Sequence, residues 1–169
     1  KSLSERLKVK INEVIEKARN LSHNLAQPDF KYIGLTKAIK ELTDSIQMKK
    51  GFVIKFTHRN IADIHFDGKD IIIYRIIQEA LTNTIKHAEA KQTEITLNHK
   101  DGKVSLTIKD DGKGFDPKDH ENFGKSLGLS IMQERAKLAG GTLQIKSKKG
   151  SGTQIHASIP VKVNKNGQK

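Results

Sequence analysis

Cysteine is absent from the 169 residues. That excludes a disulfide scaffold, a thiolate metal centre and a cysteine nucleophile, and it suits a reducing compartment. Long apolar runs are missing as well. The longest aliphatic stretch is Ile71-Ile72-Ile73, far short of the roughly 20 residues a membrane-spanning helix needs. No basic-then-apolar leader opens the sequence, so a cytoplasmic location is expected. Arginine is scarce: five of the 31 basic residues. The planar fork that reads guanine or clamps phosphate is correspondingly rare, which argues against a nucleic-acid partner. There is no internal repeat and no Walker-type GxxxxGK[ST] run.

What is present is a formal charge of +12, from 31 Lys and Arg against 19 Asp and Glu. Such an excess attracts nucleotides, acidic lipid or an acidic protein partner, although a lysine-rich solvated surface is the plainer reading. Leu7, Ile11, Val14, Ala18, Leu21 and Leu25 form an a/d seam, so residues 1–27 read as one helix of a coiled-coil type. It has no starting cap, which suggests a piece of something longer, and Pro28 ends it. Leu35, Ile39, Leu42 and Ile46 mark a second helix closed by Gly51. Residues 52–56 alternate as a strand and 61–66 do so weakly. Residues 71–90 read as one strongly apolar helix. Strands at 93–98 and 104–108 flank Asp101-Gly102, a hairpin signal. A helix over 127–138 stops at Gly140-Gly141, and strands at 143–146 and 153–159 flank Gly150-Ser-Gly152. From Pro160 on, a polar disordered tail is expected. Hairpins interspersed with helices predict an α+β two-layer sandwich, a mixed and mostly antiparallel sheet with helices on one face. They disfavour a Rossmann or P-loop fold.

Three clusters could carry chemistry. Glu79, Asn83 and His87 lie at i, i+4 and i+8 on one polar stripe. A carboxylate and an amide oxygen one turn apart suit Mg²⁺, which fills most of its shell with phosphate and water. Lys86 and His87 follow where a phosphate could lie. Asp110-Asp111-Gly112-Lys113-Gly114-Phe115 follows a strand directly; its glycines permit a tight turn and close approach of a flat ligand. Gly124 and Gly128 lead into a helix whose free N–H groups could hold an anion. Each cluster alone also fits a bland reading: a solvated helix edge, an Asp-Gly turn, a flexible loop.

Their order resembles the N, G1 and G2 boxes of the ATP-binding domain of bacterial sensor histidine kinases, a Bergerat-fold family shared with gyrase, a heat-shock chaperone and mismatch-repair ATPases. QEALTNTIKHA, DDGKGF, GKSLGLSIMQERA and GGTLQIKSKKGSGTQIHASIP are most similar to the subfamily of nitrate- and membrane-fluidity-sensing kinases. The likeness covers about residues 12–160 and implies three parts. Residues 1–27 would be the second helix of a dimerisation hairpin, 28–160 the catalytic domain and 161–169 the tail. It also implies roles. Asn83 would bind Mg²⁺, and Glu79, the catalytic residue, would orient a metal-bound water or polarise the acceptor. Lys86 and His87 would run along the phosphates of ATP. Asp110 would accept from the adenine amine in a pocket shaped by Gly112 and Gly114. Gly124 to Gly128 would hinge a lid, with Leu127, Gly128 and Leu129 starting the helix that caps the triphosphate. Thr153 would reach the adenine edge through water. Ser126 stands where many members have glycine, which narrows the freedom of the lid.

The resemblance further implies transfer of the γ-phosphoryl to a histidine and relay to the receiver domain of a response regulator, from a homodimer that is cytoplasmic or the cytoplasmic part of a membrane-anchored kinase. No histidine here stands in a His-Asp or His-Glu box on a first dimerisation helix. His23, followed by Asn24, lies near the end of the seam helix. A fragment that binds Mg-ATP without phosphorylating itself is therefore expected. The rival readings are a Bergerat-fold serine kinase regulating a sigma factor, a non-catalytic nucleotide-binding module, and a basic DNA-binding protein with no groove-reading motif.

Overall fold

The computed structural model describes residues 28–50, 52–62, 64–116 and 127–163. The seam helix over 1–27 and Gly51 lie outside them. Asp29 starts a short helix, α1 (Phe30–Ile33), by accepting the Lys31 N–H at 3.2 Å. Gly34, at φ 72°, turns the chain into α2 (Leu35–Lys50). Leu35, Ala38, Ile39 and Leu42 repeat at helical spacing and are all buried. At the end of α2, the Gln47 side chain accepts the Ile54 N–H at 2.9 Å. That bond caps a backbone donor of β1 (Val53–Arg59), an edge strand that would otherwise offer it to another chain.

β2 (Ile64–His65) precedes α3 (Lys69–Asn83), which runs directly into a π-helical turn, Thr84–Ala88. β3 (Gln92–Lys100) and β4 (Lys103–Asp110) form the expected hairpin. Asp101 (φ 51°) and Gly102 (φ 70°) both adopt positive φ, as a two-residue I′ turn requires. α4 (Leu127–Leu138) and the hairpin of β5 (Thr142–Ser147) and β6 (Thr153–Pro160) follow, then β7 (Lys162–Val163).

The main sheet has the order β1-β3-β4-β6-β5. β1 runs parallel to β3 and the other neighbours are antiparallel. One face buries Ile54, Ile95, Leu97, Leu106, Ile108, Ala157 and Ile159 against the helices. From α3 come Ile73, Ile76, Ile77 and Leu81, from α4 Met132 and Ala136. The alternate residues, among them Lys55, Glu94, Lys109 and Gln154, are exposed on the other face. This is the α+β sandwich with helices on one face that the pattern predicts.

Three expectations change. The tail expected from Pro160 on starts too early: Val161 donates to Gly102 O at 2.8 Å, and β7 pairs with β2. The weak strand over 61–66 shrinks to those two residues of β2. The helix expected over 71–90 begins at Lys69 and leaves α-helical geometry after Asn83.

Candidate nucleotide site

A cavity of about 400 Å³ opens at the ends of β4 and β6, under the last turns of α3 and the first turn of α4. Ile108 and Ile155, paired in register across β4 and β6, form its apolar floor. Ala80, Thr84 and Ala88 supply the helical wall. Of the residues singled out in the sequence, Asn83, Lys86, His87, Asp110, Gly114, Gly128, Leu129 and Thr153 line it. Glu79 does not. It lies behind the lining, where a Cβ on Gly128 would run into its carboxylate and come within 3.5 Å of Asn83 Nδ2. Gly128 is thus the contact that lets α4 close over the Glu79–Asn83 turn. Gly112 also stands behind the wall, because a Cβ there would meet the Ala88 backbone and, at 2.9 Å, Asp110 Oδ1. Gly124 is outside the described residues, and for Leu127 only the backbone is described.

Asp110 is the one buried carboxylate among the described residues. Its Oδ1 accepts the Gly112 N–H at 2.9 Å and the Thr153 N–H at 3.2 Å. Both bonds go to one oxygen, which leaves Oδ2 without a partner among the described residues. Burial pushes its pKa up and nearby Asp111 adds to this, while the two N–H bonds pull the other way. Asp111 does a different job. Its Oδ1 accepts from Lys91 and Gln92, each at 2.9 Å, and so ties the glycine loop to the start of β3. The Gln92 N–H is the first cause holding its carboxyl below the usual range.

The loop is also pinned at Lys113, whose N–H reaches Ala88 O at 2.8 Å and whose carbonyl accepts from Gly150 at 2.6 Å. The Lys113 ammonium meets Glu89 at 2.7 Å on the rim, and this bond and charge lower the Glu89 pKa. Ser147 is a hub. Its Oγ accepts the Phe115 N–H at 2.9 Å and donates to Gly152 O at 3.0 Å. With that proton committed, the 3.0 Å contact between Ser147 Oγ and Thr153 Oγ1 has Thr153 as donor. Toward the cavity the Thr153 hydroxyl can then only accept.

Sequence reasoning gave no site role to Ser147, Thr84, Lys113, Phe115 or the Ile108–Ile155 floor. It also missed the π turn, in which the Thr84 hydroxyl bonds Ala80 O at 3.0 Å and Glu89 ends the helix at φ 54°. Widened turns of this kind recur at functional sites. This one carries Lys86 and His87 to the cavity rim in place of a straight i, i+8 stripe. Thr84 and Ala88 do share one broad helix face with Ala80 in the sequence, at four-residue steps, but that spacing alone does not mark them as cavity wall.

Among the described residues no group of three or more His, Asp or Glu side chains could hold a metal by itself. A cation beside Asn83 would therefore take most of its shell from phosphate and water, which is the habit of Mg²⁺.

A mixed five-stranded sheet, helices on one face and a cavity between a helical asparagine and a strand-end aspartate together make this a Bergerat-type ATP-binding domain. Residues 68–163, more than half of the chain, match the family HATPase_c, described as "Histidine kinase-, DNA gyrase B-, and HSP90-like ATPase", and the chain belongs to that family. Solved structures agree in fold. The histidine kinase domain of the blue-light activated histidine kinase of Erythrobacter litoralis EL346 is similar at TM-score 0.57 and 21% identity, over 75% of this chain and 61% of that one. A mycobacterial sensor histidine kinase, MprB, is similar at TM-score 0.58 and 22% identity, over 76% and 95%. Full-length ShkA, solved in complex with AMPPNP, is similar at TM-score 0.64 and 22% identity, over 82% of this chain and 31% of that one. The chain thus spans 61% of the Erythrobacter kinase domain and less than a third of ShkA. Among the described residues no helix is long and apolar enough to cross a membrane.

Proposed function

We propose that this chain is the catalytic part of a sensor histidine kinase of the nitrate- and membrane-fluidity-sensing subfamily. It binds ATP with Mg²⁺ at Asn83, and the γ-phosphoryl passes to a histidine outside the catalytic domain and on to a response regulator. The observation that carries the nucleotide reading is the polarity of the cavity: over an apolar floor, Asp110 Oδ2 and Thr153 Oγ1 both present acceptors. Adenine offers an amine there, whereas guanine would set its carbonyl against a carboxylate. Lys86 and His87 at the rim and Asn83 on the wall suit the phosphate end. The magnesium ion supplies charge neutralisation at the phosphates. Phosphoryl transfer asks the protein mainly for positioning and electrostatics.

Calorimetry tests this directly. ATP is expected to bind with Mg²⁺ and weakly in EDTA, and GTP should bind at least about a hundredfold more weakly than ATP, since it leaves buried acceptors facing an acceptor. Asn83→Ala should remove the dependence on Mg²⁺. Equal affinity for ATP and GTP would remove Asp110 from base recognition, and an unchanged metal dependence would remove Asn83 from its role. A serine kinase is separated by chemistry: phosphate placed on a substrate is acid-labile and base-stable on histidine, and acid-stable on serine.

A further inference from the structure

A second, shallower cleft of about 240 Å³ lies on the outer face of the sheet, against the turn that joins β5 to β6. Lys109, Lys146 and Lys148 line it together with Ser151 and Gln154. Its position follows from the register. Lys109 pairs with Gln154 across β4 and β6, and Gln154 pairs with Lys146 across β6 and β5. The two lysines therefore stand two strand spacings apart, about 10 Å between backbones, on the same face. Their stems are long enough for both ammonium groups to reach one anion from either side. Lys148 leaves the end of β5, and its carbonyl accepts the Ser151 N–H at 2.9 Å, which fixes the turn beside it.

Among the described residues none of these three lysines has a carboxylate partner. Elsewhere Lys40, Lys113 and Lys162 do, in Asp44, Glu89 and Asp67. The acid nearest in register, Glu94 opposite Lys109, instead accepts from Gln92 at 3.0 Å. Three like charges around one concavity repel each other, and a multiply charged anion relieves that repulsion. Lysine binds phosphate as a point charge. Among the described residues no aromatic side chain lines the cleft for a base to stack on.

We propose that this cleft is a binding site for a small free oligophosphate, with Lys109, Lys146 and Lys148 as its cationic ligands and the Ser151 hydroxyl as a further donor. It stands back to back with the nucleotide cavity, because Thr153 lines both. The test must therefore tell the two apart, and it does not depend on the nucleotide reading being right.

Pyrophosphate is titrated calorimetrically into the 169-residue chain in EDTA, at fixed ionic strength. Binding at one site is expected, unchanged by Lys86→Gln at the rim of the nucleotide cavity and weakened about tenfold for each of Lys109→Gln, Lys146→Gln and Lys148→Gln. Sulfate and O-phosphoserine should bind more weakly. These lysines are exposed, so the variants should fold. The proposal fails if pyrophosphate gives no binding, or if binding disappears in Lys86→Gln and survives in the Lys109, Lys146 and Lys148 variants. It fails equally if sulfate binds as well as pyrophosphate, which would be charge screening alone. A preference for O-phosphoserine would overturn the free-ligand assignment in favour of a phosphorylated side chain.

Discussion

The burial of Asp110 comes at a cost to the empty fold. An acid whose pKa is raised by burial binds its proton more tightly folded than unfolded. Its ionisation therefore lowers stability as pH rises from the unfolded pKa through the folded one. Asp110→Asn keeps an oxygen for the Gly112 and Thr153 N–H groups, removes the charge, and turns an NH₂ toward the cavity. Tm should hold or rise while ATP affinity falls about a hundredfold, because a donor now faces the adenine amine. In the unmodified chain ATP binding should weaken on acidification, with a midpoint above the ordinary aspartate value. A midpoint at or below that value would contradict the burial argument. Thr93, the register partner of Asp110, makes the converse point. It is fully buried and its hydroxyl has no hydrogen-bond partner among the described residues. Thr93→Val replaces an unsatisfied polar atom with a methyl of the same shape and should stabilise the fold by about 1 kcal/mol, raising Tm by about 2–4 °C in a chain of this size. A drop in Tm would mean that the hydroxyl has a partner the geometry does not reveal.

At the scale of elements, the glycines of the β5–β6 turn separate conformation from contact. Gly150 and Gly152 both have positive φ, 78° and 74°. A Cβ on Gly150 meets nothing within 4 Å, whereas one on Gly152 would run into the Asp110 carbonyl. Gly150→Ala should therefore cost only the left-handed strain, about 1–2 kcal/mol. Gly152→Ala adds a backbone overlap and should cost clearly more, while also shifting the Asp110 backbone. Equal losses in denaturant melts would refute this ordering. The same elements show what periodicity can reveal. The Asp101-Gly102 hairpin was legible because only a few residues tolerate two successive positive φ angles, and α3 because its isoleucines keep one face. The π turn was not: Thr84–Ala88 carries no residue that marks a change of helical pitch. Nor was the β2–β7 pairing, since two residues on each side are too few to alternate. Asp110 could be picked out as a carboxylate at a strand end ahead of glycines. The cavity floor could not, because Ile108 and Ile155 meet only through the register of β4 with β6. Ser147 was hidden for the same reason, since its three bonds go to a loop and a turn that the fold brings together.

At the scale of the whole molecule, the question is whether a chain that holds ATP can also receive its phosphate. The five histidines among the described residues are poorly placed for it. His58, His65, His99 and His156 lie on strands β1, β2, β3 and β6, and His87 lines the nucleotide cavity itself. An acceptor must approach the γ-phosphoryl in line from outside the pocket, and a residue fixed in a sheet, or one set along the phosphates as proposed for His87, cannot do that. Incubation with labelled ATP and Mg²⁺ should therefore leave the chain unlabelled, even though a hundredfold excess of nucleotide over Kd should stabilise it by about 2.7 kcal/mol. The two readouts answer each other. Stabilisation without labelling is the signature of a catalytic domain parted from its substrate helix. Labelling that resists base and is lost in acid would place the acceptor within these 169 residues, and His23→Gln would then be the variant to make first. Neither stabilisation nor labelling would mean that the Asp110 cavity does not take ATP at all.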